Sequence, residues 1–367
     1  MLNNTERIFS MQTFFADDKH VRTIGRSIFR NNIRYLSWSC SAVEFVFTGT
    51  EITAEIWTDW VNDEPWKEIF QPYLAVFIND EAVPSKRFAV NEGTDTYTIY
   101  KSNTAETVKI RIMKLSEAAF SKIGIISISA DGETVPTSPL SRRMEVIGDS
   151  ITCGFGIEGK YAEEGFRTST ENPYINYASK AARSFGAECD LISWSSIGVY
   201  SSDTKTDEIN DSWLMPMLYG YTDIGIENVL GIDEHAEWDF SSFPPDVIVV
   251  NLGTNDNSYT KGIPERVDGF KAAYEKFVRK IRALNPHSHI ICALGMMGAE
   301  LYPAIEETVQ KLGDDKVYAL GFDVQRDEDG IGCENHPNSV THNKAAIKLA
   351  EKISEITGWE CDNSVFD

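Results

Sequence analysis

The run Val146-Ile147-Gly148-Asp149-Ser150-Ile151-Thr152 decides how the second half of this 367-residue chain is read. A strand-like apolar stretch stops at Gly-Asp-Ser and so presents a hydroxyl at a tight turn. A second apolar strand, Val247–Leu252, ends in Asn251-Leu252-Gly253-Thr254-Asn255-Asp256. Around these two, strand and helix patterns alternate: strand at Met144–Gly148, helix at Pro173–Phe185, strands at Cys189–Trp194 and Val247–Leu252, and helix at Val267–Leu284. Strands at Ile290–Leu294 and Val317–Phe322 follow, then a last helix over Ser339–Thr357. Such alternation implies a parallel sheet covered by helices on both faces. Sites in these folds form beyond the carboxyl ends of the strands, where both Gly148-Asp149-Ser150 and Gly253-Thr254-Asn255-Asp256 lie.

Upstream the rhythm has period two. Val43–Phe47, Glu51–Trp57, Tyr73–Ile78, Thr96–Tyr100, Thr107–Ile112 and Gly124–Ile128 are β-branched or aromatic runs separated by Gly, Asn, Asp and Pro. Their packing is an antiparallel, jelly-roll-like all-β sandwich. Asp131–Leu140 carries two prolines and a glycine, which discourages regular structure. The expected organisation is therefore a β-sandwich domain over 1–130, a linker over 131–143 and an α/β domain over 144–367. The length, beyond about 100–200 residues for a single core, agrees with two domains.

Composition narrows the partners. Acidic side chains outnumber basic ones 56 to 34, for a net charge of −22, which opposes nucleic acid and anionic membranes. A neutral sugar polymer meets no such repulsion. Residues Met1 to Thr23 mix charges with scattered apolar residues and lack the apolar core of a secretory signal. No window reaches the roughly 18 apolar residues of a membrane span, so a soluble, cytoplasmic protein is expected. Six widely spaced cysteines suit reduced, buried thiols, and neither a metal site nor a cofactor is expected.

A serine hydroxyl becomes a nucleophile when a base takes its proton, so Ser150 needs an imidazole. Of six histidines, only His336 occupies a Gly/Asn/Pro-rich loop, Gly330–Asn338, that joins the last strand to the last helix. Acyl transfer also puts negative charge on the former carbonyl oxygen, and donors are needed there. The amide of Asn255, the N–H of Ser150 and the N–H of Gly198, in Trp194-Ser195-Ser196-Ile197-Gly198-Val199-Tyr200, are the candidates. Read singly, a loop histidine is commonly a solvated side chain, and Gly198 a simple turn.

In this order and spacing the four pieces resemble the SGNH (GDSL-type) hydrolase family over about Met144 to Trp359. Finer features are similar to carbohydrate esterase family 2: Gly154-Phe155-Gly156-Ile157-Glu158-Gly159, Trp194–Tyr200, Met215-Pro216-Met217-Leu218-Tyr219, Gly295-Met296-Met297-Gly298 and Gly330-Ile331-Gly332-Cys333. That resemblance implies an N-terminal jelly roll joined to an SGNH hydrolase domain. It also implies a serine esterase that removes O-acetyl groups from polysaccharides or oligosaccharides such as mannan or xylan. Many SGNH enzymes carry an aspartate three residues before the histidine, where this chain has Cys333. The resemblance implies instead a Ser–His dyad whose imidazole is oriented by a backbone carbonyl, with that of Glu334 as the counterpart. Asp329, Asp327 and the Glu334 side chain stay open as alternative orienters.

Trp194, Tyr200 and Tyr259, with Trp213 and Tyr219, are candidate sugar-stacking surfaces, although most such aromatics are core residues. Two other readings remain: an SGNH lipase or thioesterase acting on longer acyl chains, and a non-catalytic carbohydrate-binding protein. Sequence leaves the glycan, the acetylated hydroxyl and the oligomeric state open.

Overall fold

A computed structural model describes residues 10–63 and 69–367. The first nine residues, with which the sandwich domain was expected to begin, and residues 64–68 lie outside the described residues. Among the described residues ten strands build the first domain. They are β1 (Gln12–Phe14), β2 (Arg22–Ile24), β3 (Ile28–Arg30), β4 (Ile33–Leu36), β5 (Ala42–Thr58), β6 (Tyr73–Ile78), β7 (Lys86–Ala89), β8 (Thr94–Lys114), β9 (Ile123–Ala130) and β10 (Glu133–Pro136). They pair antiparallel in the order β3-β4-β9-β5-β8-β6-β7, with β1 on β9, and β2 and β10 on β5. Phe45, Phe47, Ile52, Ala54 and Ile56 of β5 pack with Ile110 and Ile112 of β8 and Ile125 and Ile128 of β9 to form the core of this sandwich.

Two expectations are corrected. Val43–Phe47 and Glu51–Trp57 form one strand, β5, and Thr96–Tyr100 and Thr107–Ile112 form one strand, β8. The β5–β8 ladder shifts register between the runs, at Gly49/Glu51, and again inside the second run, at Ile52/Thr53. Asp131 holds the bend, accepting from the N–H groups of Thr50 and Glu51 at 2.8 and 2.9 Å. The linker expected over 131–143 likewise contains β10, which pairs with β5 from Glu133↔Thr48 to Pro136↔Phe45. A proline at the end of an added strand leaves the ladder intact.

The second domain has five parallel strands: β11 (Arg142–Gly148), β12 (Ala187–Ser193), β13 (Val247–Asn251), β14 (His289–Leu294) and β15 (Val317–Gly321). Their order is β12-β11-β13-β14-β15. The described helices are α1 (Ser150–Cys153), α2 (Tyr177–Ser184), α3 (Met215–Leu218), α4 (Ile224–Val229), α5 (Asp256–Thr260), α6 (Pro264–Leu284), α7 (Tyr302–Leu312) and α8 (Ser339–Thr357). Ala178, Ala181 and Ala182 of α2 and Ala346, Leu349 and Ile353 of α8 cover one face of the sheet, against Met144, Val146 and Val249. Phe270, Tyr274 and Phe277 of α6 and Ile305 of α7 cover the other, against Ile147, Ile248 and Val250. Burial on both faces explains the unbroken apolar runs. Among the described residues no helix is long and apolar enough to cross a membrane.

Helix α2 starts later than expected. Pro173–Ile175 forms a 3₁₀ turn, and Asn176 then caps α2 by accepting from Ser179 N–H at 2.7 Å. Helix α8 matches its expected span, capped by Asn338 and closed by Gly358 at φ 71°.

The domains are joined by buried polar contacts as well as apolar ones. Arg26 donates to Glu145 at 3.0 Å and to the Tyr219 carbonyl at 2.7 Å, and Trp38 donates to the Thr222 carbonyl at 2.9 Å. The order reverses at β11, with β12 on one side and β13 on the other, so a crevice opens at their carboxyl ends.

Candidate active site

Ser150 emerges in that crevice. A Cβ at Gly148 would lie 2.0 Å from Thr152 Oγ1, so this tight turn requires glycine. Asp149 caps α1, its carboxylate accepting from Ile151 N–H at 3.0 Å. Ser150, the first helical residue, is 8% exposed. Its backbone N–H has no acceptor a turn earlier in the helix, which leaves a donor beside the hydroxyl.

His336 arrives from the loop before α8. Its Nε2 lies 2.9 Å from Ser150 Oγ, and its Nδ1 lies 3.0 Å from the Glu334 carbonyl oxygen. A carbonyl only accepts, so Nδ1 carries the hydrogen in the neutral ring and Nε2 offers a lone pair to the serine. Glu334 and Asn335 both adopt left-handed backbone, at φ 50° and 59°, which folds the carbonyl back onto the ring. The alternative orienters are committed elsewhere. The Glu334 carboxylate accepts from Phe166 N–H at 3.1 Å, Asp329 pairs with Lys344 Nζ at 2.6 Å, and Asp327 is exposed.

Cys333 is buried, with Sγ 3.4 Å from Thr170 Oγ1. The loop Gly154–Gly159 clasps it. A Cβ at Gly156 would sit 2.4 Å from Cys333 Sγ, and one at Gly159 would sit 2.3 Å from Cys333 N. The His336 ring rests on Phe155, centroids 4.3 Å apart. Burial holds the His336 pKa down to about 4, against the opposing pull of its Glu334 carbonyl hydrogen bond.

On the other side of Ser150, Asn255 Nδ2 donates to the Ile197 carbonyl at 2.9 Å and to Asp149 at 3.2 Å. Gly198 N–H donates to Ser202 Oγ at 3.2 Å, so the donor expected from sequence is engaged. Glycine is needed there for space, since a Cβ would meet the Ser201 carbonyl oxygen at 2.0 Å. Asp256 gathers this loop, accepting from Val199, Tyr200 and Ser201 N–H at 3.1, 2.7 and 3.0 Å. Burial raises Asp149 to about 7 and Asp256 to about 6, partly offset by those backbone donors.

The aromatics named as stacking candidates are packed against the protein. Trp194 meets Trp38 and Trp213 edge-on at 6.5 and 5.4 Å, and Tyr200 meets Tyr259 at 5.9 Å. The Arg266 guanidinium lies 4.5 Å over the Tyr259 ring, and Tyr219 is fully buried. Sequence reasoning missed the wall beside His336, where Phe155 and Phe166 stack at 3.6 Å and Phe120 of the sandwich domain follows at 5.2 Å. It also missed Glu117, which no local pattern marks. Its carboxylate, with those of Glu171 and the Cys153 thiol, places donor atoms within 4.8 Å of one another. The buried Lys114 ammonium lies beside them, held by the Ser37 and Glu117 carbonyls at 2.9 and 3.0 Å.

Residues 23–139 match the model of the carbohydrate esterase 2 N-terminal domain, and residues 146–316 match that of the GDSL-like lipase/acylhydrolase family. The chain is 30% identical over 341 residues to the cellulase/esterase CelE of Acetivibrio thermocellus, covering 88% of this chain and spanning 38% of that protein's length. It is 26% identical over 369 residues to an acetylxylan esterase / glucomannan deacetylase of Cellvibrio japonicus, covering 97% of this chain and 95% of the relative. A family two carbohydrate esterase from Clostridium thermocellum, solved with cellohexaose, superposes with a TM-score of 0.81 at 29% identity, covering 92% of this chain and 99% of that one.

Proposed function

This chain belongs with the carbohydrate esterase 2 proteins, pairing their N-terminal domain with a GDSL-like acylhydrolase domain, and on that premise we propose that it removes O-acetyl groups from polysaccharides or oligosaccharides. The observation that carries the reading is the 2.9 Å contact of His336 Nε2 with Ser150 Oγ, in a ring whose Nδ1 is fixed by the Glu334 carbonyl. Relatives named as acetylxylan esterase / glucomannan deacetylase and as cellulase/esterase support a carbohydrate ester as substrate.

The geometry allows the following sequence. Ser150 Oγ attacks the acetyl carbonyl carbon while its proton passes to His336 Nε2. The tetrahedral oxyanion is met by Ser150 N–H and by Asn255 Nδ2 released from Asp149. Collapse breaks the bond to the sugar oxygen, which takes the proton from Nε2 and departs as a free hydroxyl, leaving acetyl-Ser150. Water then attacks this ester, giving one proton to Nε2, and Ser150 leaves with that proton as acetic acid is released, ionising to acetate in solution.

Phe155 lies against the His336 ring and stacks on Phe166, and an apolar wall beside the base is consistent with a small acyl group. The test is hydrolysis of aryl esters of increasing acyl length, with product analysis on acetylated mannan, xylan and cello-oligosaccharides. A steep fall in rate after acetyl, with acetate released from at least one glycan, is expected. A maximum at longer chains would instead favour a lipase-like or thioesterase-like activity.

A further inference from the structure

We infer that Glu117, a residue of the β-sandwich domain, is a positioning residue for the oxyanion side of the esterase site, so that the N-terminal domain forms part of the catalytic machinery. The inference rests on Ser150 acting as the nucleophile. Glu117 lies just beyond β8 and is completely buried. Its carboxylate crosses the domain boundary to accept from Ser195 N–H at 2.8 Å and from the Ser195 hydroxyl.

Ser195 begins the stretch that matters. Ser196 next to it has φ 64°, a left-handed conformation occupied without glycine, and such strain persists only where the surroundings hold it. Ile197 then presents the carbonyl that accepts from Asn255 Nδ2 at 2.9 Å. Beyond it Asp256 gathers the N–H groups of Val199, Tyr200 and Ser201. The loop is thus pinned at its far end from within its own domain and at its near end by a side chain from the other. Released at Ser195, the strained residue can relax, and the carbonyl that aims Asn255 moves with it. The same carboxylate also faces Cys153, the last residue of the helix that Ser150 opens.

The cluster is costly for a merely structural tie. Carboxylate oxygens of Glu117 and Glu171 lie within 4.8 Å of each other, both side chains are buried, and one ammonium, Lys114, is nearby; Glu171 also accepts from the Glu117 backbone N–H at 3.1 Å. Burial pushes both carboxyls up and Lys114 down to about 8. Neutral residues of similar size commonly serve stability as well or better at such a place.

The experiment compares the full chain with Glu117→Ala, Glu117→Gln, Ser195→Ala and Arg22→Ala. Arg22 pairs with Glu44 and Glu188, across the same domain boundary but remote from Ser150. Rates on an aryl acetate are expressed per active site titrated with a phosphonate that labels the serine, beside the denaturation midpoint. Glu117→Ala is expected to lower kcat about tenfold to a hundredfold with KM within about twofold. Glu117→Gln, which keeps one oxygen acceptor for Ser195, should recover most of that loss, and Arg22→Ala should lower the midpoint with kcat unchanged. Turnover of Glu117→Ala within twofold of the parent overturns the inference, as does an equal loss in Arg22→Ala. Should Glu117→Ala fail to fold, Glu117→Gln and Ser195→Ala decide: a loss in Ser195→Ala supports the inference and unchanged kcat in both defeats it. A Ser150→Ala protein that still hydrolyses the ester would break the nucleophile assignment, separately from any result at Glu117.

Discussion

The two sides of Ser150 are held by different chemistry. His336 is oriented by a neutral backbone carbonyl from its own loop, whereas the opposite loops are organised by buried carboxylates, Asp149, Asp256 and Glu117. The difference separates orientation from electrostatics. A carboxylate beside the imidazole would both fix the tautomer and stabilise the imidazolium strongly, whereas here a neutral carbonyl fixes the tautomer and only partly offsets the effect of burial on the charged ring. The carboxylates opposite act on backbone N–H groups and amides. They set the position of donors without pairing with the base.

The largest effects should come from the dyad shared by both sides. Ser150→Ala and His336→Ala should each lower kcat/KM by about 10⁴-fold or more while leaving the circular dichroism spectrum unchanged. Residual activity near the parent value in either variant would show that the 2.9 Å contact is not the reacting pair.

Next comes the carboxylate-organised side. Asn255→Ala should cost about 10²–10³-fold in kcat through loss of a transition-state donor. Asp256→Asn keeps an oxygen for the Tyr200 and Ser201 N–H groups and should cost less. If Asn255→Ala changes KM and leaves kcat alone, the amide binds ground-state substrate and the two sides differ less than argued.

This contrast also explains what could be read from the residues alone. Ser150, Asn255 and His336 announce themselves because each needs a local signal: Gly148 for the turn, a strand end for Asn255, and a Gly/Asn/Pro loop for His336. The parallel sheet was legible from strands apolar on both faces, such as Val247-Ile248-Val249-Val250. Glu117 gave no sign, because its partner, Ser195, is 78 residues away and only the docking of two domains brings them together. β5 and β8 each look like two strands in the sequence because a bulge residue such as Gly49 is of the same type as a turn residue. Trp194, Tyr200 and Tyr259 look alike as sugar platforms or as packing, and only the neighbours Trp38, Trp213 and Arg266 decide.

The pH profile sharpens the comparison at intermediate scale. With His336 held down to about 4, the base stays neutral at pH 5, so the limb of kcat/KM set by the imidazole should appear only as pH drops through about 4, below any limb set by Asp149 and Asp256, which are raised to about 7 and 6. Stability runs differently. An unfolded histidine titrates near 6.5, so below that pH the unfolded state binds protons that His336 and the buried His342, held down to about 3, refuse. Their contribution is therefore full above about 6.5 and is lost progressively as pH falls toward 4 and 3. Cys333→Asp would place a negative charge in the histidine loop, favour the imidazolium and move the acid limb upward. An unmoved limb in Cys333→Asp would mean that position 333 does not reach the ring electrostatically.

The smallest effect tests the carbonyl itself. Glu334→Ala removes the side chain that accepts from Phe166 N–H but leaves the carbonyl that accepts from His336 Nδ1. Alanine and glutamate bear the same backbone cost at φ 50°, so the left-handed turn should survive the change. Turnover should then fall by less than about tenfold, against the 10⁴-fold expected for His336→Ala. Glu334→Gly, which suits that φ better than either, should restore loop stability without raising kcat, since an acceptor of unchanged charge still orients the ring. A loss in Glu334→Ala as deep as in His336→Ala would assign the orientation to the carboxylate, and the contrast between the two sides of Ser150 would vanish.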